Sequence, residues 1–295
     1  MTRYVLAFSS LVLFGLANAA AVAAQHSLLS RNGGDKAVGD KWKDYNDIAS
    51  LMQKPDTETQ LDLCPFIENK SGCVTYPAVD KEGYHGSGLQ PTGRAAGDCN
   101  DLEQAGQVYA RTGQSSNRTG TMYSYYLPKV EEGKIHKHHW MAAVVWYHKG
   151  RSCQETAENS VPIGISYLKE QGIFDTTTTE TIWIDGNGGN RLKHPILQYD
   201  AKQVLGPVRT DEMVENLLSP MLVGWDGLPA AAREQLNGIV YEHTAVPFSD
   251  ANFQTNMDAA HASSMLETVP PEVICSNATI QDDPTTLGPN SENGN

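Results

Sequence analysis

The chain has 295 residues, of which 40% are hydrophobic and 19% are charged, and its formal net charge is −13. This composition supports a packed core, and the length allows one large or two ordinary domains. The acidic balance argues against nucleic acid as a partner and against simple electrostatic attraction to anionic lipid. Much of the acidic excess belongs to the C-terminal end, because no Lys or Arg follows Arg233.

The N-terminus has the three parts of a secretory signal peptide. Arg3 supplies a positive charge, residues 4–16 form an apolar run, and residues 17–19 (Ala-Asn-Ala) form a small-residue cleavage site. A second cut is possible after Ala24. We predict a signal peptide over residues 1–19 and a secreted, extracellular protein. A signal anchor is the alternative, but the run is short for a membrane span, and we expect no integral membrane segment in the mature chain.

Secretion favours disulfides and glycans. Five cysteines occur along the chain: Cys64, Cys73, Cys99, Cys153 and Cys275. The odd number means that at least one is unpaired or pairs between chains. Three triplets match the N-glycosylation pattern, at Asn69, Asn117 and Asn277.

The first part of the mature chain, residues 25–60, is predicted to be a leader that contains one short helix. Residues 25–40 are polar, and residues 41–53 place Trp42, Tyr45, Ile48 and Met52 at spacings of three and four, which is typical of an amphipathic helix. The segment between Cys73 and Cys99 is rich in Gly, Pro and turn residues, so a disulfide across it would be structurally useful. Residues 107–111 predict a strand.

The central stretch, residues 121–147, predicts a strand, a loop and a second strand. The first strand is expected to end at Pro128, and a turn at Gly133 leads to three histidines, at the point where the loop meets the second strand. Alternation places His138 and Trp140 on one face and His139 on the other. Both faces are apolar after Trp140, so we predict a central strand that is buried on both sides, with a polar site at its open end.

The rest of the chain predicts further strands and one clear helix. Strands are expected over residues 161–168 and 180–184, with a loop over residues 185–190. Residues 226–238 predict a helix that Asp226 caps and Gly238 terminates. Residues 255–295 form an acidic tail with a composition typical of disorder. The predicted fold class is mainly β, a β-sandwich with peripheral helices.

Four interpretations of the cluster His136, His138 and His139 are open. The first is a transition-metal site, because neutral imidazole binds Zn, Cu or Ni well, although no HExxH pattern or acidic ligand accompanies it. The second is a general base, but Ser124 and the cysteines form no recognisable arrangement with it. The third is a set of structural histidines at a strand end. The fourth is a site inherited from a family and then altered.

Several segments resemble the necrosis-inducing proteins of the NPP1 type, also called Nep1-like proteins. Residues 120–129 and 135–146 (GTMYSYYLPK and IHKHHWMAAVVW) resemble the family's AIMYSWYFPKD strand, its GHRHDWE heptapeptide and its VVVW. Residues 72–79 resemble GCxPYPAV, and residues 107–111 resemble QVYGR. Residues 225–233 and 246–253 resemble WDxLxxAAR and VPxxDxNF, in the family's order. The resemblance places a Nep1-like domain over residues 61–254.

The resemblance implies a β-sandwich similar to that of actinoporins and a secreted effector that acts in virulence on plants. Such proteins are toxins and not enzymes. They bind a sphingolipid headgroup of the plant plasma membrane through a Ca or Mg ion held in an acidic cavity. Hard ions of this kind need carboxylate and carbonyl oxygens. The resemblance also implies a disulfide between Cys73 and Cys99, and Cys64 with Cys153 is a further pairing that we consider.

The metal-binding heptapeptide is altered in this sequence. Its first His is retained as His136, whereas its Asp and Glu positions hold His139 and Met141. A helper Asp of the family falls at Val130, for which the neighbouring Glu131 or Glu132 are the available substitutes. The seven equivalent positions are Ile135, His136, Lys137, His138, His139, Trp140 and Met141. Because two hard oxygen ligands are lost, we expect neither a Ca nor a Mg site nor cytolytic activity.

We therefore predict a secreted Nep1-like homologue from a plant-associated microbe, non-enzymatic and non-cytolytic, with no cofactor. Its expected partners are a plant plasma-membrane sphingolipid or a host surface receptor, and not nucleic acid. Two alternatives are an active cytolysin that binds plant sphingolipid headgroups and a secreted protein that binds Zn or another transition metal through histidines.

Overall fold

The computed structural model describes residues 34–101, 106–149, 160–177, 181–185, 192–209, 214–215 and 217–262. The predicted signal peptide, Cys153, Cys275, Asn277 and most of the predicted tail lie outside these residues. The strands are β1 (Trp42–Lys43), β2 (Phe66–Asn69), β3 (His85–Gly86), β4 (Gln107–Ser115), β5 (Arg118–Val130), β6 (His136–Lys149), β7 (Ser160–Glu170), β8 (Ile173–Asp175), β9 (Trp183–Asp185), β10 (Leu192–Tyr199), β11 (Gly206–Pro207), β12 (Leu217–Leu218) and β13 (Met221–Gly224). The helices are α1 (Glu58–Asp62), α2 (Ala230–Gly238) and α3 (Phe253–Ala260).

Two larger sheets enclose one hydrophobic core. The first has six strands in the order β13-β4-β5-β6-β7-β8, and the second has the order β11-β10-β2-β12, with β9 paired to β10. Ile67 and Leu197 of the second sheet belong to the same buried cluster as the aromatic side chains of β5. Tyr123 and Tyr125 of β5 donate hydrogen bonds to the carbonyls of Gln60 and Pro65, near the second sheet. The predicted mainly β fold with peripheral helices is confirmed.

Strand β6 is central in the first sheet, as the sequence predicts. It pairs with β5 on one side and with β7 on the other, both antiparallel. From Trp140 to Tyr147 every side chain is buried, because β-branched and aromatic residues on both faces pack against apolar neighbours. The strand begins at His136, so the whole histidine cluster lies within β6, whereas the sequence placed the cluster where the loop meets the strand.

The prediction that the first strand ends at Pro128 is wrong, because β5 continues to Val130. In a strand the nitrogen and the carbonyl oxygen of one residue point to the same side. The Pro128 carbonyl accepts a hydrogen bond from the Leu89 N–H at 3.0 Å, so the proline nitrogen also faces Leu89. The side that faces β6 loses no donor, and the ladder runs past the proline.

The predicted helix over residues 41–53 is also wrong. Trp42 and Lys43 instead pair with His85 and Gly86 in a short parallel ladder, and only a single 3-10 turn, Tyr45–Asp47, follows. The Lys41 and Lys43 carbonyls accept hydrogen bonds from this partner segment, at 2.9 and 2.7 Å. These long-range bonds compete with helical ones, and the periodicity of the sequence does not reveal them.

The helix predicted over residues 226–238 forms later and without the predicted cap. It begins at Ala230, after Pro229, and no side chain caps it. The N–H groups of Asp226 and Gly227 donate to the carboxylate of Asp56, at 3.2 and 2.8 Å. These hydrogen bonds to Asp56 hold the loop in a non-helical conformation, so the helix begins only after it. In the predicted tail, residues 255–260 are helical because they belong to α3.

The disulfide between Cys73 and Cys99 is confirmed, and it closes the turn-rich segment across a sequence separation of 26. Both cysteines are fully buried. Cys64 forms no disulfide within the described part of the chain, and burial raises the pKa of its thiol to about 12.

Removal of this disulfide is expected to destabilise the fold. We expect Cys73→Ala/Cys99→Ala to lower the free energy of unfolding by about 3 kcal/mol, because the denatured chain gains loop entropy. Urea unfolding under oxidising conditions measures the loss, with Cys64→Ala as the matched control. A loss below about 1 kcal/mol would show that the segment is held without its disulfide.

Two of the predicted glycosylation sites can be located. Asn117 is exposed at the tip of the β4–β5 hairpin, where its φ is 63°, in the left-handed region that Asn tolerates. Asn69 is partly buried, and its amide nitrogen lies 3.4 Å from the carbonyls of Gly72 and Cys73. Of the two, Asn117 is the more accessible acceptor.

Candidate functional site

A cavity of about 360 Å³ lies beside the start of β6, at the end of the strand where the sequence predicts a polar site. Its wall comes from the β5–β6 loop, the end of β7, the segment after β10 and the segment before α3. The wall includes the side chains of Glu132, His136, His139, Leu168, Glu170 and His243.

His136 has a defined tautomer in this wall. Its Nδ1 lies 2.9 Å from the carbonyl oxygens of both Lys137 and His138, so Nδ1 carries the proton and donates it. The Nε2 lone pair is left for another partner. The side chain is buried, and burial lowers the pKa of His136.

His139 lies next to His136, with the two ring centroids 5.5 Å apart. Its Nε2 donates to the Gln203 carbonyl at 2.9 Å, and Nδ1 is therefore an acceptor. That atom is buried and has no hydrogen-bond partner among the described residues. Burial, and secondarily the neighbouring His136, lowers the pKa of His139 to about 4.

His243 completes a row of three imidazoles in the cavity wall. Its ring centroid is 5.4 Å from that of His136, and its side chain is 53% exposed. His243 is not among the candidate residues that the sequence indicates. The available signal was its position three residues before the segment VPFSDANF, which carries part of the family resemblance.

His138 does not belong to this row, although the sequence groups it with His136 and His139 in one cluster. Its backbone has a φ of 53°, in the left-handed region, and this breaks the alternation of side chains along β6. The ring turns into the interior, where Nδ1 lies 2.7 Å from the hydroxyl of Tyr126. Burial lowers the pKa of His138 to about 3.

A second buried histidine, His85, stands beside His138 in the same aromatic interior. The Tyr241 hydroxyl lies 2.6 Å from His85 Nε2 and accepts from Trp140 Nε1 at 3.3 Å. His85 Nδ1 is 2.8 Å from the Gly86 carbonyl. Burial, followed by the neighbouring His138, lowers the pKa of His85 to about 3. These neutral, hydrogen-bonded rings form a structural network in the interior of the fold.

This network requires a glycine next to His138. A Cβ on Gly88 would lie 2.7 Å from the His138 ring, and Gly88 has a φ of +68°. We expect Gly88→Ala to lower the free energy of unfolding by about 2–4 kcal/mol through strain and overpacking together. Thermal or urea unfolding measures it.

The matched control is Gly133→Ala in the β5–β6 loop. Its φ is +79°, and a Cβ there meets nothing within 4 Å. This variant carries only the backbone strain, about 1–2 kcal/mol. Equal losses in the two variants would contradict the close packing of His138 against Gly88.

The side chains at the expected oxygen-ligand positions do not supply a hard-ion site. Met141 is buried in the core. Of the two substitutes, Glu131 is bound to the buried Lys129 at 2.8 Å. Glu132 is exposed and lines the cavity, as does Glu170, which is paired with Lys134 at 2.9 Å. A Ca or Mg ion, which takes six or more oxygen ligands, does not fit a wall with one uncommitted carboxylate.

Of the remaining heptapeptide-equivalent positions, Trp140 lines the cavity, whereas Ile135 and Lys137 do not. Ile135 is 59% exposed, although its side chain is large and apolar. Lys137 is half-buried, and the Trp140 ring packs in the core while also lining the cavity. In the described ranges, no three His, Cys, Asp or Glu side chains already stand at positions that would hold one metal ion.

The chain matches a known protein family over most of the described domain. The family model described as necrosis inducing protein (NPP1) matches residues 57–260. The chain therefore belongs to the NPP1 family of necrosis-inducing, Nep1-like proteins.

Similar proteins carry the same family description. NLP effector protein 1 of Phytophthora capsici is 29% identical over 224 residues, which cover 74% of this chain and 90% of that protein. Necrosis-inducing protein NPP1 of Phytophthora nicotianae is 29% identical over 199 residues, covering 67% of this chain and 79% of that protein.

Solved structures support the fold. Necrosis and Ethylene inducing Protein 2, from the causal agent of witches' broom disease of cocoa, is 26% identical with a TM-score of 0.59, covering 75% of this chain and 98% of its own. NLPPya in complex with mannosamine is 25% identical with a TM-score of 0.61, covering 75% of this chain and 99% of its own. Over the described residues, no helix has the length and apolar character that a membrane span requires.

Proposed function

We propose that this protein is a secreted Nep1-like homologue that recognises a sugar headgroup at a plant surface but does not lyse membranes through a Ca or Mg ion. The observation that carries the proposal is the donor set of the cavity wall. It offers imidazoles where a hard-ion site needs oxygens, and Glu131 is committed to Lys129. Because the cavity wall supplies so few oxygen ligands, we expect it not to bind Ca at ordinary concentrations.

Sugar binding is supported by the cavity and by a relative. A volume of about 360 Å³ lies within the range of small-molecule sites, and its wall combines apolar and polar side chains. NLPPya has been solved with an amino sugar. Exposed polar groups on the rim, such as Glu132 and Lys202, are available to hydrogen-bond sugar hydroxyls. Secretion is supported by the predicted signal peptide, and the names of the relatives describe effectors and not enzymes.

The test is leakage of dye from vesicles made with plant plasma-membrane sphingolipids. The purified mature protein is compared in Ca and in chelator with a cytolytic family member as the positive control. We expect no leakage in either condition, and co-sedimentation with the vesicles that does not depend on Ca. Leakage in Ca that a chelator abolishes would overturn the non-cytolytic proposal. In that case Glu132→Gln is the variant to examine, because Glu132 is the uncommitted carboxylate on the wall.

A further inference from the structure

We propose that the cavity binds a divalent transition ion, with Zn²⁺ as the reference, through Nε2 of His136 and Nδ1 of His139, and that His243 rotates in as a third ligand. The inference concerns the same cavity as the proposed function, but it rests on different donors. It replaces hard oxygen coordination with imidazole coordination, which suits ions of the zinc, copper and nickel group.

The hydrogen bonds of the two rings carry the argument. A metal-binding imidazole almost always donates its other N–H to a carbonyl or carboxylate, which fixes the tautomer and directs the free lone pair to the ion. His136 donates Nδ1–H to backbone carbonyls, and His139 donates Nε2–H to the Gln203 carbonyl. Each ring therefore has one nitrogen already occupied and the other free to coordinate. In His139 the second nitrogen is buried with no partner among the described residues, which is a cost that a metal bond would remove.

The spacing of the rings suits a shared ion. With a metal–nitrogen distance of about 2.1 Å and tetrahedral angles, two coordinating imidazoles place their ring centroids roughly 5 Å apart. The centroid of His136 lies 5.5 Å from that of His139 and 5.4 Å from that of His243. His136 is thus the shared neighbour in a row of three.

The third ligand has to move. The three side chains do not converge as they stand, but His243 is 53% exposed and its Nε2 is 3.7 Å from the exposed Glu242 carboxylate. Rotation of an exposed side chain is a small change. Three lysines line the wall. They oppose a cation only weakly, because Lys134 is paired with Glu170 and Lys169 with Asp175, at 2.9 and 3.7 Å, and the charge of the exposed Lys202 is screened by solvent. The remaining coordination position would be filled by water or by Glu132.

The experiment is competition for Zn²⁺ between the full mature chain, without a histidine tag, and a chromogenic chelator. We expect one Zn²⁺ for each chain, no displacement by a hundredfold excess of Ca²⁺, and at least tenfold weaker binding in His136→Gln and in His139→Gln. His243→Gln is expected to weaken binding by a smaller factor. The matched control is His261→Gln, because His261 does not line the cavity, and its affinity should equal that of the wild type.

A second measurement covers the case in which a variant fails to fold. In the wild-type protein, nitrogen-15 spectra of the imidazoles report which ring nitrogen binds zinc. The expected signature is a Zn²⁺-dependent shift of Nε2 in His136 and of Nδ1 in His139, with the His138 nitrogens unchanged. Absence of Zn²⁺ binding, or binding that leaves these two nitrogens unshifted, would overturn the inference. Vesicle leakage is read separately, so the proposed function and the metal site can fail independently.

Discussion

Lowering the pH from 7 to 5 is expected to reduce the free energy of unfolding by about 6 kcal/mol, of which His85, His138 and His139 contribute about 2 kcal/mol each. In the folded protein burial lowers the pKa of His85 and His138 to about 3 and that of His139 to about 4. In the unfolded chain the pKa of a histidine is about 6.5. Below that value the unfolded chain binds protons that the folded chain does not, so acid favours unfolding.

The sign and the window follow from these pKa values. The stability is fully present above about pH 6.5 and falls as the pH decreases towards about 3, where the folded protein also becomes protonated. His139 contributes almost as much as His85 or His138, because pH 5 still lies above its folded pKa of about 4. Few carboxylates titrate between pH 7 and 5, so the histidines dominate this interval.

Urea unfolding at pH 7, 6 and 5 measures the effect. We expect His85→Asn and His138→Asn each to reduce the pH-dependent loss by about a third, independently of their effect on the stability at pH 7. A stability that stays constant from pH 7 to 5 would contradict neutral, buried histidines. So would an undiminished pH dependence in both variants.

Removing the charge of Lys129 is expected to have an effect of similar size. Lys129 is buried, and its Nζ lies 2.8 Å from Glu131 and 3.1 Å from the Arg94 carbonyl. In Lys129→Met the Glu131 carboxylate would remain largely buried without its partner. Breaking a buried pair in this way costs about 3–5 kcal/mol.

A double-variant cycle tests this explanation. Lys129→Met/Glu131→Leu removes both charges and is expected to recover at least half of the loss, because no unpaired charge remains. Unfolding in urea gives the four stabilities that the cycle needs. If the double variant is no more stable than Lys129→Met, the cost comes instead from the carbonyls that Lys129 satisfies. The cycle also gives the coupling free energy between Lys129 and Glu131. This energy would have to be overcome before Glu131 could bind an ion instead of Lys129.

The central strand of the core could be predicted because its pattern of apolar residues lies within one short segment of the sequence. The run from Trp140 to Tyr147 is apolar on both faces, and only a central strand buries both faces of a segment so short. The disulfide between Cys73 and Cys99 followed from the family resemblance. In contrast, the periodicity of residues 41–53 matched a helix, but the partner strand at His85 determined the outcome.

The site could be predicted only in part. The resemblance identified His136, His139 and the lost oxygen ligands. The sequence did not show that His138 adopts a left-handed backbone, because alternation is the default assumption for a strand. Nor could it bring His243 beside His136, or His85 beside His138, because these contacts join segments that are distant in the chain. Contacts of this kind depend on the closed tertiary structure.

The segment that precedes the family match has a consequence for proteolysis. Residues 34–54 pack onto the domain: Tyr45, Ile48 and Leu51 are buried, the Trp42 ring lies 5.6 Å from that of His138, and Lys36 exchanges backbone hydrogen bonds with Val240. A protease that trimmed the chain to residue 57 would strip the cover from the aromatic interior. Such a cut is therefore expected to destabilise the domain, and a recombinant fragment has to retain the chain from Gly34 onward.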